Sequence, residues 1–370
     1  MKTLTRLIYR QVVLAVAFVS LAFLLLFFFF DITDELGRVQ TYSKHGYTIW
    51  HAFAYVALKV PSRLYDLLPI AVLIGTIYVL VQLAQTSQFT IMRTSGLGPL
   101  QALAALLVLG LGFVVLTFAL GDYVAPAANR VATTVQARYM GDITVGRTGA
   151  WLKDVQDGQS YSINIGAMDA DGTLKRVRIL AFDKTGQSLQ SLQDAASAEI
   201  TPQGWVLHKL VQRDFSQAEA DGDQARIESK KRKELVWQTA ISADMIAAAL
   251  LSPERMRTTE LLRYANHLEA TGQNAQSYEI EFWRKVFYPL GCLVMMVLAL
   301  PFAYLHFRSS NISSMVFLGV LIGISFFLLN NVFGFIGNLR HWPPWLAAAS
   351  PGIVYSILSL AAFTWLVARQ

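Results

Sequence analysis

The long stretches of this chain that carry no ionisable side chain are what its fold must accommodate first. Val12 to Phe30 runs 19 residues without one, and as an α-helix rising about 1.5 Å per residue it covers roughly 28 Å, close to the hydrocarbon thickness of a bilayer. Leu67 to Ala84, Leu100 to Gly121, Val286 to Leu305, Met315 to Phe335 and Leu346 to Ala368 have the same character. Six membrane-spanning helices are therefore expected. The first reads as a retained anchor and not a cleaved leader, because it ends in Phe27 to Phe30 followed by Asp31, with no small-residue cleavage site.

Only 15% of the residues are charged, against about 25% in soluble domains, and those few are clustered. Residues 122–285 hold 20 Lys and Arg and 21 Asp and Glu, which leaves 11 and 4 for the remaining 206 positions. The chain thus divides into membrane helices over 1–121, a polar insert over 122–285 and membrane helices over 286–370. The basic excess belongs to the membrane part, so nothing supports nucleic-acid binding. Cys292 is the single cysteine, which excludes an intrachain disulfide and a cysteine metal site.

Orientation follows from the basic residues. Lys2, Arg6 and Arg10 precede the first span, and with the N-terminus inside, Arg93, Arg308 and Arg369 also fall on the cytoplasmic side, which receives no acid. Both termini are expected in the cytoplasm and the insert on the external or periplasmic side.

The insert begins with a helical stretch, Asp122 to Tyr139, that continues the third span. A β-rich region follows at about 143–238, where Tyr161, Ile163 and Ile165, Val177 and Ile179, and Trp205 and Leu207 alternate with polar residues. Turn signals punctuate it at Asp157-Gly158, Asp171-Gly172, Lys184 to Gly186, Pro202 to Gly204 and Asp221 to Asp223. About eight short strands at this spacing point to a sandwich or jelly roll. Ser252 and Pro253 then open a helix whose face is Leu261, Leu262, Ala265 and Leu268, stopped by Gly272.

Catalytic chemistry is hard to find. No Gly-rich phosphate loop, His-Glu-x-x-His or Gly-x-Ser-x-Gly pattern occurs, and His45, His51, His208, His267, His306 and His341 have no ligand spacing. The six apolar runs contain no Asp, Glu, Lys, Arg or His, which speaks against an ion-driven carrier. Gln82, Asn330 and Asn331 read as interhelical hydrogen bonders, and Gly319 with Gly323 as a close-packing pair. Asp169, Asp171 and Gly172 imitate a calcium loop but lack its remaining ligands, so a turn is expected. Lys230 to Lys233 reads as a solvated strand edge.

Two features do suggest function. Between the second and third spans, Ser87, Gln88, Phe89, Ile91, Met92 and Arg93, closed by Gly96, form a short amphipathic pattern. It suits either a membrane-skimming connector or a coupling helix docked on a soluble motor. Near the membrane ends, Arg38, Lys59, Arg63, Arg130 and Arg138 could attract an anionic lipid headgroup, although each alone also suits an interfacial anchor.

Six spans with a large domain after the third, Leu83-Ala84-Gln85 leading to Met92-Arg93-Thr94-Ser95-Gly96, and Gly121 to Pro126 together resemble the LptF/LptG family of lipopolysaccharide-export permeases. Gly149 to Asp154, and Gly272-Gln273 before Trp283 to Pro289, are more similar to its LptG-type than its LptF-type members. The resemblance implies a permease subunit, not an enzyme, in a bacterial inner-membrane ABC exporter of lipopolysaccharide. An LptF-like permease, two copies of an LptB-like ATPase, an LptC-like single-span protein and a periplasmic bridge would be its partners. It implies no cofactor in this chain, with ATP and magnesium on the ATPase. It also implies lateral lipid entry between spans one and five of opposing subunits, for which Phe27, Phe30, Phe317, Leu321, Ile324 and Leu328 are the apolar candidates. The sequence departs from the family at Gln88, where relatives commonly carry a glutamate, and after span one, where Asp31 to Arg38 holds one basic residue. The LptF paralogue and a non-transporting scaffold with a β-domain are the alternatives.

Overall fold

The computed structural model describes residues 2–86, 99–140, 253–304 and 312–368, and within the insert 149–239 apart from 157–158, 170–171, 184–187, 202–203 and 217–225, together with 241 and 245–246. Two compact units result. One comprises Met1–Gly37, Ala52–Asn129 and Gln276–Gln370, the other Arg38–His51 and Arg130–Ala275.

The first unit is a helix bundle. Its helices are α1 (Lys2–Tyr42), α2 (Ile49–Gln85), α3 (Pro99–Ala119), α6 (Gln276–Phe287), α7 (Gly291–Ala299), α8 (Pro301–Tyr304), α9 (Ile312–Arg340) and α10 (Pro344–Ala368). A π-helical turn, Leu120–Val124, joins α3 to α4 (Ala125–Met140). Among the described residues six helices are long and apolar enough to cross a membrane, as the charge-free runs predict. This is an α-helical membrane protein.

These helices are not equivalent. In α2, 83% of the apolar window is buried, against 17% to 50% in the other five. A helix that is apolar on nearly every side is buried, and most of residues 67–83 of α2 lie in the core of the bundle. Close approach to it depends on glycine. A Cβ on Gly75 would lie 2.8 Å from the Val16 backbone nitrogen of α1, and one on Gly323 of α9 would lie 2.6 Å from Ile70. Gly319 meets Ile77 in the same way, so the Gly319/Gly323 pair packs α9 on α2 as the sequence suggests. Tyr65 of α2 lies against Gly121, and the Tyr65 and Tyr288 rings are 5.0 Å apart.

Among the described residues the insert holds six strands: β1 (Ala150–Gln156), β2 (Gln159–Met168), β3 (Leu174–Phe182), β4 (Leu189–Thr201), β5 (Gly204–Ser216) and β6 (Arg226–Trp237), followed by α5 (Thr258–Ala270). Their spatial order equals their chain order and every pair is antiparallel. This corrects the jelly-roll expectation. A jelly roll pairs strands distant in sequence across two sheets, whereas here each ladder joins neighbours in one open sheet. Each of the five turn signals falls at the junction of two successive strands, which gives six strands where about eight were expected. At 13 residues each, β4 and β5 are longer than the short strands expected from the spacing.

The sheet is nonetheless curled. Asp154 on β1 accepts a hydrogen bond from Thr239 Oγ1, just past β6, at 2.8 Å. In a flat sheet five steps of about 4.8 Å would hold them roughly 24 Å apart. Inside the curl lie Ile163, Ile165, Leu174, Val177, Ile179 and Leu207, with Trp205 fully buried and donating its indole N–H to the Ile241 carbonyl at 3.1 Å.

A crease allows this curvature. On β3 the buried positions run Leu174 and then Val177, and on β5 Leu207 and then Leu210, so the alternation shifts phase at Arg176 and Lys209. Those two residues have φ of 53° and 51°, the left-handed region that long side chains rarely adopt. Gly166 on β2 leaves room for the Arg176 side chain, which donates to the Gly166 carbonyl at 3.2 Å. Beyond the strands, α5 buries Leu261, Tyr264, Ala265 and Leu268. Leu262, expected on that face, is 46% exposed.

Two outcomes follow from this packing. Gly75→Val should cost about 1–3 kcal/mol by overpacking against the α1 backbone, read as a lowered thermal midpoint of the chain in detergent. Gly112→Val, with nothing within 4 Å of its Cβ, should leave the midpoint unchanged. At the crease, Lys209→Val should cost about 1 kcal/mol more than Lys209→Asn, because a β-branched residue resists positive φ and asparagine tolerates it.

Candidate functional site

The ends of α1 and α2 that lie nearest each other in sequence carry the densest set of candidate residues. Arg63 donates to Asp31 through Nε at 3.0 Å and through an Nη at 2.7 Å, a two-pronged pairing that matches guanidinium to carboxylate. The guanidinium also lies 5.3 Å from the centre of the Phe27 ring, within cation–π range. One turn earlier on the same face, the Lys59 ammonium sits 4.5 Å from the Tyr55 ring centre. Asp31, Phe27, Lys59 and Arg63 thus form one rim, with Arg63 held by its own carboxylate.

The other headgroup candidates are elsewhere. Arg38 is exposed near the end of α1. Arg130 forms an ion pair with Glu260 of α5. Burial raises the Glu260 pKa, but the Arg130 hydrogen bond and the Arg257 backbone N–H outweigh it and hold the carboxyl below its ordinary value. Arg138 lies on α4, with its side chain outside the described residues. Ser87 to Arg93, read as a coupling helix, fall outside them altogether.

Phe317, Leu321, Ile324 and Leu328 stand at helical spacing along α9 and all are exposed, opposite the buried line of Gly319, Gly323, Phe326 and Asn330. On α1, Phe30 is exposed while Phe27 is half-buried under Arg63. Such exposed apolar stripes suit lipid, whether as surroundings or as cargo.

Sequence reasoning missed a polar knot at the end of α6, because it counted charges only inside the apolar runs. Arg284 donates to the Asn330 carbonyl of α9 at 3.0 Å, using the notch at Gly334. Buried Lys285 donates to the Gly121 carbonyl at 3.1 Å. Tyr288 donates to the Asp66 carbonyl of α2 at 2.5 Å. Three residues thereby fasten three helices. Asn330 itself does not bridge helices through its amide, which donates to Phe326 in its own helix. The clue was in the sequence: Trp283-Arg284-Lys285 directly abuts a charge-free run.

Residues 6–365 match the family described as lipopolysaccharide export system permease LptF/LptG. The chain belongs to that family. It is 28% identical over 352 residues to the lipopolysaccharide export system permease protein LptG of Escherichia coli K12, covering 93% of this chain and 94% of that protein. The LptG of Haemophilus influenzae Rd is 25% identical over 337 residues, 90% of each. The chain is accordingly an LptF/LptG-type ABC permease subunit acting in membrane lipid export, and not an enzyme. Among the described residues no group of His, Cys, Asp or Glu could hold a metal ion.

The Asp31–Arg63 pair makes a direct test of the rim. Asp31→Arg should destabilise the chain by placing two cations together, and adding Arg63→Asp should restore the pair. For a partly exposed ion pair the coupling in the double-mutant cycle should be about 0.5–1 kcal/mol, measured from thermal midpoints in detergent. A coupling of zero would show that the rim is not held by this contact.

Proposed function

We propose that this chain is the LptG-type permease subunit of an ATP-driven exporter that takes lipopolysaccharide from the outer leaflet of the inner membrane and passes it to a periplasmic bridge. The observation that carries this reading is the end-to-end similarity to two proteins that both bear the LptG name. On this reading both termini are cytoplasmic, residues 122–285 are periplasmic, and 1–121 and 286–370 form the membrane part. The partners are an LptF-like permease, two LptB-like ATPases, an LptC-like single-span protein and the bridge. ATP and magnesium belong to the ATPase.

The exposed stripe of Phe317, Leu321, Ile324 and Leu328, with Phe27 and Phe30 on α1, suits acyl chains because it offers area without polar groups that would need partners. Arg38, Lys59, Arg63, Arg130 and Arg138 are the headgroup candidates. Arg63 and Arg130 already hold carboxylates, so an anionic headgroup would engage them by exchange. The coupling helix at Ser87, Gln88, Phe89, Ile91, Met92 and Arg93 would receive the motor stroke, with Gln88 supplying a neutral hydrogen bond where a glutamate is common.

Purification in mild detergent from a lipopolysaccharide-producing host tests this directly, with bound protein and lipid identified by mass spectrometry. Recovery of a soluble ATPase, a second six-span chain and lipopolysaccharide is the expected result. Recovery without an ATPase, where other ABC complexes survive, favours a scaffold. Phe89→Asp or Met92→Asp should abolish ATPase recovery while leaving the chain folded, and unchanged recovery would remove the coupling assignment.

A further inference from the structure

The π-helical turn and Lys285 explain each other. In Leu120–Val124 the Ala125 N–H bonds to the Leu120 carbonyl, one residue further back than in an α-helix. The Gly121 carbonyl has therefore lost its α-helical donor, Ala125. Its π-helical donor would be the residue five positions on, and that residue is Pro126, which has no N–H. A buried carbonyl without a donor is costly. Lys285, only 5% exposed, supplies the missing donor at 3.1 Å. Gly121 carries no Cβ, and the Tyr65 ring fills the place that one would take.

This bond has a particular position along the chain. The polypeptide leaves the bundle for the insert through α3, the π turn and α4, and returns through α6 into α7. Lys285 on the returning helix α6 bonds to Gly121 in the outgoing π turn, so both connections are joined at their base. We propose that Lys285 is a positioning residue that locks the two connectors together, so that movement of the membrane helices reaches the insert through both at once. The inference rests on the exporter reading for its consequence, while the lock itself rests on the geometry. A π turn is one residue longer than its α-helical equivalent, so releasing the lock lets the surplus residue move along the helix and absorb the stroke.

The test uses the complete complex in proteoliposomes, with ATP hydrolysis and lipopolysaccharide release measured side by side. Lys285→Met keeps length and burial but removes the donor, and it should leave assembly and hydrolysis unchanged while lowering lipid released per ATP about tenfold, the scale of one lost buried bond to a charged group. Lys285→Arg should retain release. Pro126→Ala restores a backbone N–H to the π turn, so Lys285→Met with Pro126→Ala should recover at least half of the release. Undiminished release in Lys285→Met, or failure of Pro126→Ala to rescue it, overturns the proposal. If Lys285→Met does not fold, recovery of folded double variant supports the lock and its absence overturns it. Should the wild-type complex release no lipopolysaccharide, the exporter reading falls. The lock is then judged by thermal midpoint alone: Lys285→Met must lower it and Pro126→Ala must restore it, and any other pattern overturns the proposal.

Discussion

The bundle is organised by the burial of α2, whose apolar window is 83% covered. Lipid chains are as apolar as leucine, so the hydrophobic effect does not draw one membrane helix to another, and what remains is close packing. Glycines at 75, 319 and 323 let α1 and α9 come within contact of α2, and the ring of Tyr65 fills the notch at Gly121. Each neighbour spends one face on this axis. The opposite faces of α1 and α9 are left with Phe18, Phe29, Phe30, Phe317 and Leu321 exposed. The apolar surface that a lipid permease needs is therefore the reverse side of the contacts that hold the bundle together.

The charges near that bundle obey the same economy of partners. Arg284, Lys285 and Tyr288 each donate to a backbone carbonyl on a different helix. Such groups fasten helices at the point where the apolar run of α7 begins, and a lost partner would leave a polar group buried at high cost. They are arranged as fasteners more than as a relay. That arrangement suits a permease whose energy comes from a separate motor chain, since force applied to one helix passes to its neighbours through fixed joints.

Much of this was legible in the sequence. Long charge-free runs determine the six spans because a helix satisfies its own backbone in lipid and needs about twenty consecutive apolar residues to cross it, and each of the five turn signals falls between two successive strands from β1 to β6. The pairing order was not legible, because a period of two says which face of a strand is buried and nothing about which strand lies beside it. The phase shift at Arg176 and Lys209 adds to this, since a left-handed lysine or arginine has no compositional mark. The knot at Arg284 and Lys285 was missed for another reason. Those residues stand just before a charge-free run, and residues at a span boundary look like solvent-facing anchors until the helix on the other side is known.

The rim at α1 and α2 changes what a basic residue near the membrane means. Counting cations suggests open positive charge awaiting an anion, yet Arg63 is already fitted to Asp31 and stacked on Phe27. The carboxylate holds the guanidinium fork in one arrangement, so less side-chain freedom would be lost if a ligand engaged it. A phosphate-bearing headgroup would replace one anion by another of greater charge, and the net gain is the difference between the two contacts. On the proposed reading, binding of that kind would be weaker than capture by a free arginine, and a contact with a built-in competitor would favour release as well as entry.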